Sequence, residues 1–314
     1  MECQPLTDSN AWDKFCLDNN DSFFWHTSRW LEYTLNYIPY SKLLSFVVTE
    51  NNQMIAICPL VLSERRFDMF WSPVIANVSD KKREKIADFV FSHIDELATE
   101  NNVVKSSMMI YPLSFPKYNY LMKYGYQNTS LNTQVIDLTQ DLSTIHSSMR
   151  KGHDYDIDRG NKILETFIFD KTNVKLLPFS SYHRMHTIDA GRETRNQRTW
   201  NLQYDWIKQG YTILLGTKYE GEWSGFSYVY LYKDKAYYGS ACSANDLPNG
   251  HVLTWKAIEW LKEHGYHWYE IGLQQFSDQS YDHPSPKEIA ISKFKRGFGG
   301  ITIPLFRGEK HYAR

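Results

Sequence analysis

The apolar positions of this chain switch between two spacings, and the switches mark out its elements. In the first half, residues 42–49 and 54–63 read as two strands joined by a turn at Asn51-Asn52. Ser79 then opens a helix whose Ile86, Phe89, Val90, Ile94 and Leu97 share one face. Shorter helices are expected behind Ser9, around Trp12 and Phe15, and behind Thr27 or Ser28, around Trp30, Leu31 and Leu35. Strands at 103–110 and 134–138 flank a short helix near 117–124. From residue 137 onward the order becomes more regular. A basic stretch, Met149-Arg150-Lys151-Gly152-His153, runs on to Arg159 and is followed by a strand at 164–169 and helices at 179–190 and 199–208. Three strands come next, at 211–218, 223–232 and 235–242, with Gly221 and Lys233-Asp234 in the turns. Asn249-Gly250 opens a helix through Leu253, Ala257, Trp260 and Leu261 that stops at Gly265, and a strand at 267–271 follows. Hairpins mixed with helices predict mixed α/β (α+β) sheets, in two halves at 1–136 and 137–314.

Composition narrows the function more than the fold. The 42% hydrophobic content supports a packed core, and a net charge of −1 excludes a nucleic-acid footprint spread over the whole surface. No DNA partner is expected, and any site for an anion must be local. The 22 Tyr, 17 Phe and 10 Trp serve mainly the core, with some available to line a saccharide-like cleft. Cys3, Cys16, Cys58 and Cys242 are scattered without metal spacing, so neither a disulfide framework nor a metal site is expected. Residues 54–62 form the longest apolar run, too short to cross a bilayer, and no basic leader precedes it. A cytoplasmic location is expected, with peripheral contact at the inner membrane face if the acceptor is lipid-linked.

The local charge excess lies near the C-terminus. Ser292-Lys293-Phe294-Lys295-Arg296-Gly297-Phe298-Gly299-Gly300 holds three cations, two phenylalanines and three glycines, and residues 289–308 contain no carboxylate. Cations beside a Gly-rich turn suit an anion or a developing oxyanion. A structural account competes. Ser285-Pro286-Lys287-Glu288 reads as a capping box with proline at the first helical position, and Gly297 as the stop. The cations then occupy the last turn, where the carbonyl dipoles favour them.

Three antiparallel strands, a helix, a strand, a helix and a last strand is the order of an acetyltransferase-type (GNAT-like) domain. In such domains the helix start after the central strand faces the acyl donor, which here is Pro248-Asn249-Gly250-His251. The Gly-rich acyl-CoA signature of simple acetyltransferases is missing. Residues 294–299, Phe-Lys-Arg-Gly-Phe-Gly, resemble the C-terminal motif of the Fem-type (FemAB-like) transferases. Trp255-Lys256-Ala257-Ile258-Glu259-Trp260, Tyr269-Glu270-Ile271-Gly272 and Tyr237-Tyr238-Gly239-Ser240-Ala241 resemble that family too, and 149–162 resembles its basic entry into the second domain. The resemblance covers residues 135–306 and thins across the first half to His26-Thr27-Ser28-Arg29-Trp30.

That resemblance implies two tandem GNAT-like domains and transfer of an acyl or aminoacyl group onto an amine of a cell-envelope precursor, peptidoglycan or a surface-polysaccharide sugar. It places Phe294 and Lys295 in the catalytic channel, with no tightly bound cofactor and with acyl-CoA or aminoacyl-tRNA as donor. The chain lacks the long helical arm of some cross-bridge enzymes, which leaves the choice of donor open. Lys295 suits the oxyanion or the leaving group; Glu270, Asp189 and His186 are candidates for taking the amine proton. Arg150, Arg159, His186, Arg192, Tyr238 and Arg296 are candidate substrate contacts, and Asn249, Gly250 and His251 candidate donor contacts. Against these stand ordinary readings: a solvated ion-pair network for Asp189, Arg192, Glu193 and Arg195, a His183–His186 spacing too sparse in ligands for a metal, and plain strand packing for Cys242. An acetyl-CoA-dependent sugar-nucleotide N-acetyltransferase and a non-catalytic module that holds a glycan or precursor are the rival functions.

Overall fold

The computed structural model describes residues 1–244 and 246–312, apart from the side chains of 68–70. It divides into two compact units, Met1–Asn132 with Pro304–Arg314, and Thr133–Ile303. The first unit carries β1 (Glu2–Pro5), α1 (Ser9–Asp18), α2 (Ser28–Tyr37), β2 (Lys42–Leu43), β3 (Phe46–Glu50) and β4 (Gln53–Cys58). It continues with β5 (Val61–Ser63), β6 (Arg66–Trp71), β7 (Val74–Ile75), α3 (Asp80–Glu100), β8 (Lys105–Met109) and β9 (Gln127–Asn128). The second unit follows with β10 (Leu131–Asp137), α4 (Leu142–Ser147), α5 (Lys151–Ile163), β11 (Glu165–Phe169), α6 (Phe179–Ala190) and α7 (Gln197–Gln209). Then come β12 (Thr212–Tyr219), β13 (Glu222–Tyr232), β14 (Lys235–Ser243), α8 (Asn249–Glu263), β15 (Trp268–Gln274), α9 (Pro286–Arg296) and β16 (Ile301–Leu305). The last strand, β17 (Arg307–His311), returns to the first unit.

Strands of the first unit form sheets ordered β1-β3-β4-β7 and β2-β5-β6-β8-β17-β9. The turn between β3 and β4 is made by Asn51 and Asn52, both left-handed with φ of 51° and 62°. Asparagine tolerates that conformation, and two such residues in succession suit the twist of a hairpin. α3 buries Ile86, Val90, Phe91 and Ile94 against Phe46, Val48 and Met108, which is the face its apolar spacing predicts. Two local expectations shift. Asp8 caps α1 in place of Ser9, accepting from the backbone N–H groups of Asn10 and Ala11. The expected strands at 42–49 and 54–63 each break in two, because their outer pieces join a different sheet from β3 and β4.

The second unit is built on one sheet ordered β11-β12-β13-β14-β15-β10-β16. Strands β11 to β14 are antiparallel, and β15 lies parallel to β14. Side chains alternate across the sheet, so its faces are covered separately. α5 and α8 bury Ile157, Leu253, Ile258 and Leu261 against Ile213, Leu215, Val229 and Leu231. On the opposite face α6 and α7 bring Tyr182 and Trp200 against Phe226 and Tyr228, whose hydroxyl donates to the carbonyl of Gln203. The second unit closes at Ile303, and β17 beyond it belongs to the first. That strand pairs antiparallel with β8, from Arg307 opposite Met109 to His311 opposite Lys105. A strand's own spacing names its faces and not its partner, so this return is invisible locally. Among the described residues no helix is long and apolar enough to cross a membrane.

Candidate active site

The sheet of the second unit opens where two strands stop pairing. β14 and β15 pair from Lys235 opposite Trp268 to Tyr237 opposite Glu270, and both continue beyond that rung, to Ser243 and Gln274. A bulge sits at the same level of β14, where Tyr228 faces Ser240 and Val229 faces Tyr238, leaving Gly239 as the extra residue. Bulges re-aim the side chains beside them, and parted strands leave main-chain groups for a ligand.

α9 delivers the cation to this opening and is held at both ends. At its start, Ser285 Oγ accepts from the N–H of Glu288 while the Glu288 carboxylate accepts from the N–H of Ser285 at 2.7 Å. At its end the buried His153 donates from Nε2 to the carbonyl of Phe294 at 2.8 Å, and Arg150 donates to its Nδ1 at 3.2 Å. That pattern is the neutral imidazole, and burial does push the His153 pKa down. Gly297 allows the contact, since a Cβ there would lie 2.2 Å from the His153 ring. The helix ends at Gly297 as expected, but its φ of −62° stays right-handed; the chain reverses at Gly299 and Gly300, with φ of 78° and 76°.

Lys295 then reaches β15. Its ammonium lies 5.5 Å from the Tyr238 ring centroid and against the α-carbon of Gly272, where a Cβ would come within 2.9 Å of Nζ and 3.5 Å of the Tyr237 hydroxyl. Gly272 has φ of 96°, so this position both needs glycine's freedom and leaves the room the ammonium fills. Glu270 is 3% exposed; Thr133 donates to its Oε1 at 2.7 Å, and its Oε2 has no hydrogen-bond partner among the described residues. Burial pushes its pKa up to about 7, opposed by Thr133 and by the Lys295 charge. Burial pushes Lys295 down to about 8, opposed by Glu270. The Tyr237 phenol is pushed up by burial and then by Glu270, so it stays protonated. A carboxylate, an ammonium and a phenol, two of them poised near neutrality, thus meet where the sheet opens.

Other expected site residues fall into three groups. Phe294 packs on the start of α8, 3.2 Å from where a Gly250 Cβ would lie and 5.0 Å between ring centroids from His251. His251 also sits edge-on to His153 at 4.6 Å and 3.7 Å from Asp156, and burial and then His153 push its pKa down to about 4. The side chain of Asn249 faces inward. It is fully buried and its Oδ1 accepts from Thr217 and Ser224, both at 2.8 Å, fastening α8 to β12 and β13. Arg150 serves His153, and the exposed Arg159 lies 3.8 Å from Asp156 on α5. The third group is the end of α6 and the turn into α7. There His183 pairs with Glu193 at 3.0 Å, Arg195 donates to His186 at 3.2 Å, and the Trp200 indole donates to Glu193 at 2.7 Å. Burial and then Arg195 lower the His186 pKa to about 4. Arg192 and Asp189 are exposed beside this network, and Cys242 is a packed strand thiol pushed up to about 12. Among the described residues no hydrogen bond or ion pair joins Arg159, His186 or Arg192 to Lys295 or Glu270, although the His186 ring lies 6.0 Å from Tyr182, whose hydroxyl shares a hydrogen bond with Ser240 on β14.

Thr133, His153, Tyr237 and Gly272 are the members that sequence reasoning did not single out. Gly272 and Tyr237 lay inside quoted motifs; Thr133 gave no signal, because it meets Glu270 only through the β10–β15 neighbourship of the sheet.

No family model matches the sequence, and no curated protein does. Among solved structures, FemX superposes with a TM-score of 0.72 at 12% identity, over 99% of this chain and 98% of that one. The L-PGS structure from Bacillus licheniformis gives 0.61 at 13% identity, over 98% of this chain and 93% of the other. A tandem GNAT protein from the clavulanic acid biosynthesis pathway gives 0.57 at 13% identity, over 100% and 99%. The chain therefore shares the fold of FemX and of the tandem GNAT protein, mixed α/β sheets arranged in two units.

Proposed function

We propose that the protein is an N-acyl- or aminoacyltransferase that moves an activated acyl group onto an amine of a cell-envelope precursor. The observation that carries this reading is the Glu270–Lys295 pair at the opening between β14 and β15. A thioester or an aminoacyl ester is already activated, so holding the amine against its carbonyl supplies much of the acceleration. Glu270 takes the proton from the attacking nitrogen, a role suited to a carboxyl whose pKa is raised to about 7. The C–N bond forms, and Lys295 holds the negative charge that develops on the carbonyl oxygen. The C–S or C–O bond then breaks, and the leaving thiolate or alkoxide takes the proton Glu270 accepted, leaving as a thiol or hydroxyl and returning Glu270 to its carboxylate. Phe294, against Gly250 and His251, forms the wall between this centre and the start of α8, where the donor's phosphates are expected. The Fem-type motif at residues 294–299 favours an envelope amine as acceptor, and acyl-CoA and aminoacyl-tRNA both fit as donors.

The test is to incubate the protein with isotope-labelled acyl-CoA and charged-tRNA pools and an envelope-precursor extract, and to follow the label by mass spectrometry. Label should appear on a precursor amine and not in the Lys295→Ala reaction. Label on a sugar nucleotide from acetyl-CoA alone would move the reading to the N-acetyltransferase alternative. Precursor binding without transfer from any donor would make the protein a binding module.

A further inference from the structure

The last turn of α9 carries a second cation whose setting differs from that of Lys295. Arg296 donates from Nη1 to Gln274 Oε1 at 2.8 Å, and its guanidinium carbon lies 4.4 Å from the Phe276 ring centroid. Gln274 is 1% exposed and donates in turn to the carbonyl of Gly272 at 3.2 Å, the residue whose α-carbon faces the Lys295 ammonium. A chain of guanidinium, amide and carbonyl therefore ties Arg296 to the floor of the candidate active site. One hydrogen bond and one aromatic face fix the plane of the guanidinium before any ligand arrives.

That plane is largely unspent. A guanidinium has five N–H donors, and Gln274 is the only hydrogen-bond acceptor of Arg296 among the described residues. No carboxylate pairs with it among them, and residues 289–308 hold none. The side chain is partly buried, so water makes up only part of the deficit. A rigid, partly desolvated fork without a counter-ion suits an anion that arrives and leaves, and the planar fork matches carboxylate and phosphate oxygens in pairs.

We propose that Arg296 is the anion-recognition residue of this site, gripping a carboxylate or phosphate group of one of the two substrates while Lys295 acts at the reacting carbonyl. This rests on the transferase reading of the opening between β14 and β15. The anion has two sources, the phosphates of the donor or an acidic group on the acceptor.

Titration calorimetry with pyrophosphate and with succinate tests the grip, using the wild type, Arg296→Gln, Arg296→Lys and Lys295→Ala, each checked by thermal unfolding. The wild type should bind at least one anion at millimolar concentration. Arg296→Gln should weaken binding at least tenfold; Arg296→Lys should weaken it too, because a point charge lacks the fork; Lys295→Ala should retain most of it. Equal affinity in wild type and Arg296→Gln, or no binding of either anion to the wild type, would overturn the proposal. In the transfer assay Arg296→Gln should raise one KM with kcat nearly unchanged. A rise for the donor assigns the anion to the donor's phosphates, and a rise for the acceptor assigns it there. Unchanged KM values with lowered thermal stability make Arg296 a structural strut and contradict the proposal. Arg296-dependent anion binding in a protein that transfers nothing would defeat the transferase reading and, with it, the assignment of the anion to a substrate, leaving Arg296 as an anion site only.

Discussion

Two charged clusters of the second unit look alike in sequence and differ in what they leave undone. At the α6–α7 turn, His183, His186, Glu193, Arg195 and Trp200 satisfy one another: the carboxylate takes an imidazole and an indole, and the guanidinium serves an imidazole and lies 4.9 Å from the Trp200 ring centroid. Glu193 is exposed and its pKa is held low by those donors, so it remains a spent carboxylate at every pH near neutrality. Beside Gly272 the balance is reversed. Glu270 is buried with one oxygen unpartnered among the described residues, and Lys295 is pushed toward losing its proton. A network that closes on itself stabilises; a buried pair left half-satisfied is a poor way to stabilise a fold and a good way to hold charge ready for a reaction.

Removing the ammonium should separate the clusters most sharply. Lys295→Ala is expected to lower transfer by roughly 10²–10³-fold, the cost of deleting one oxyanion donor, with the far-UV circular dichroism unchanged. Turnover at the wild-type rate would remove Lys295 from the chemistry. A smaller loss, on the order of tens-fold, is expected for Gly272→Ala, since misplacing a catalytic group by about 1 Å can cost up to about 10²-fold. Its Cβ would stand 2.9 Å from Nζ at a φ of 96°. Transfer kinetics on a folded Gly272→Ala protein decide this, and an unchanged kcat would show that the ammonium does not depend on that space.

Stability against pH sharpens the comparison next. Between the ordinary glutamate pKa of 4.5 and about 7, native Glu270 keeps a proton that the unfolded chain has released, so stability should fall as pH rises through that window. Between about 8 and 10.5 native Lys295 has released a proton that the unfolded chain keeps, so the pair's contribution should recover there. Glu270→Gln keeps an acceptor for Thr133 and should flatten the acidic limb by on the order of 3 kcal/mol, at about 1.36 kcal/mol per pKa unit. Denaturant unfolding from pH 4.5 to 8 reads this directly, and parallel curves for the two proteins would refute it. The smallest effect belongs to the other cluster. Glu193→Gln should cost about 1 kcal/mol or less, as exposed pairs do, and change transfer by less than about twofold, within the ±0.5 kcal/mol range of surface substitutions. A large loss of transfer in Glu193→Gln would move the site toward α6.

What could be read from the chain was mostly local. The capping box at Ser285 and Glu288, the apolar face of α3 and the extent of α6 all depend on residues a few positions apart. Lys295 and Phe294 were legible because they share one motif. Glu270 is one of three candidates for the base in the sequence, and its position opposite Tyr237 comes only from the sheet order. The inward turn of the Asn249 side chain, which accepts from Thr217 and Ser224, is not visible in the sequence, because both partners lie on strands distant along the chain. The destination of β17 and the contact of Thr133 with Glu270 are pairings across the sheet, which no periodicity encodes.

The pH dependence of single-turnover transfer tests the central claim most directly. With Glu270 as base and Lys295 as the cationic donor, the rate should rise as the carboxyl ionises near pH 7 and fall as the ammonium loses its proton near pH 8, giving a narrow bell. In Glu270→Gln the acidic limb should vanish and the maximum rate should drop. A profile flat from pH 6 to 9, or an acidic limb that survives in Glu270→Gln, would contradict the account.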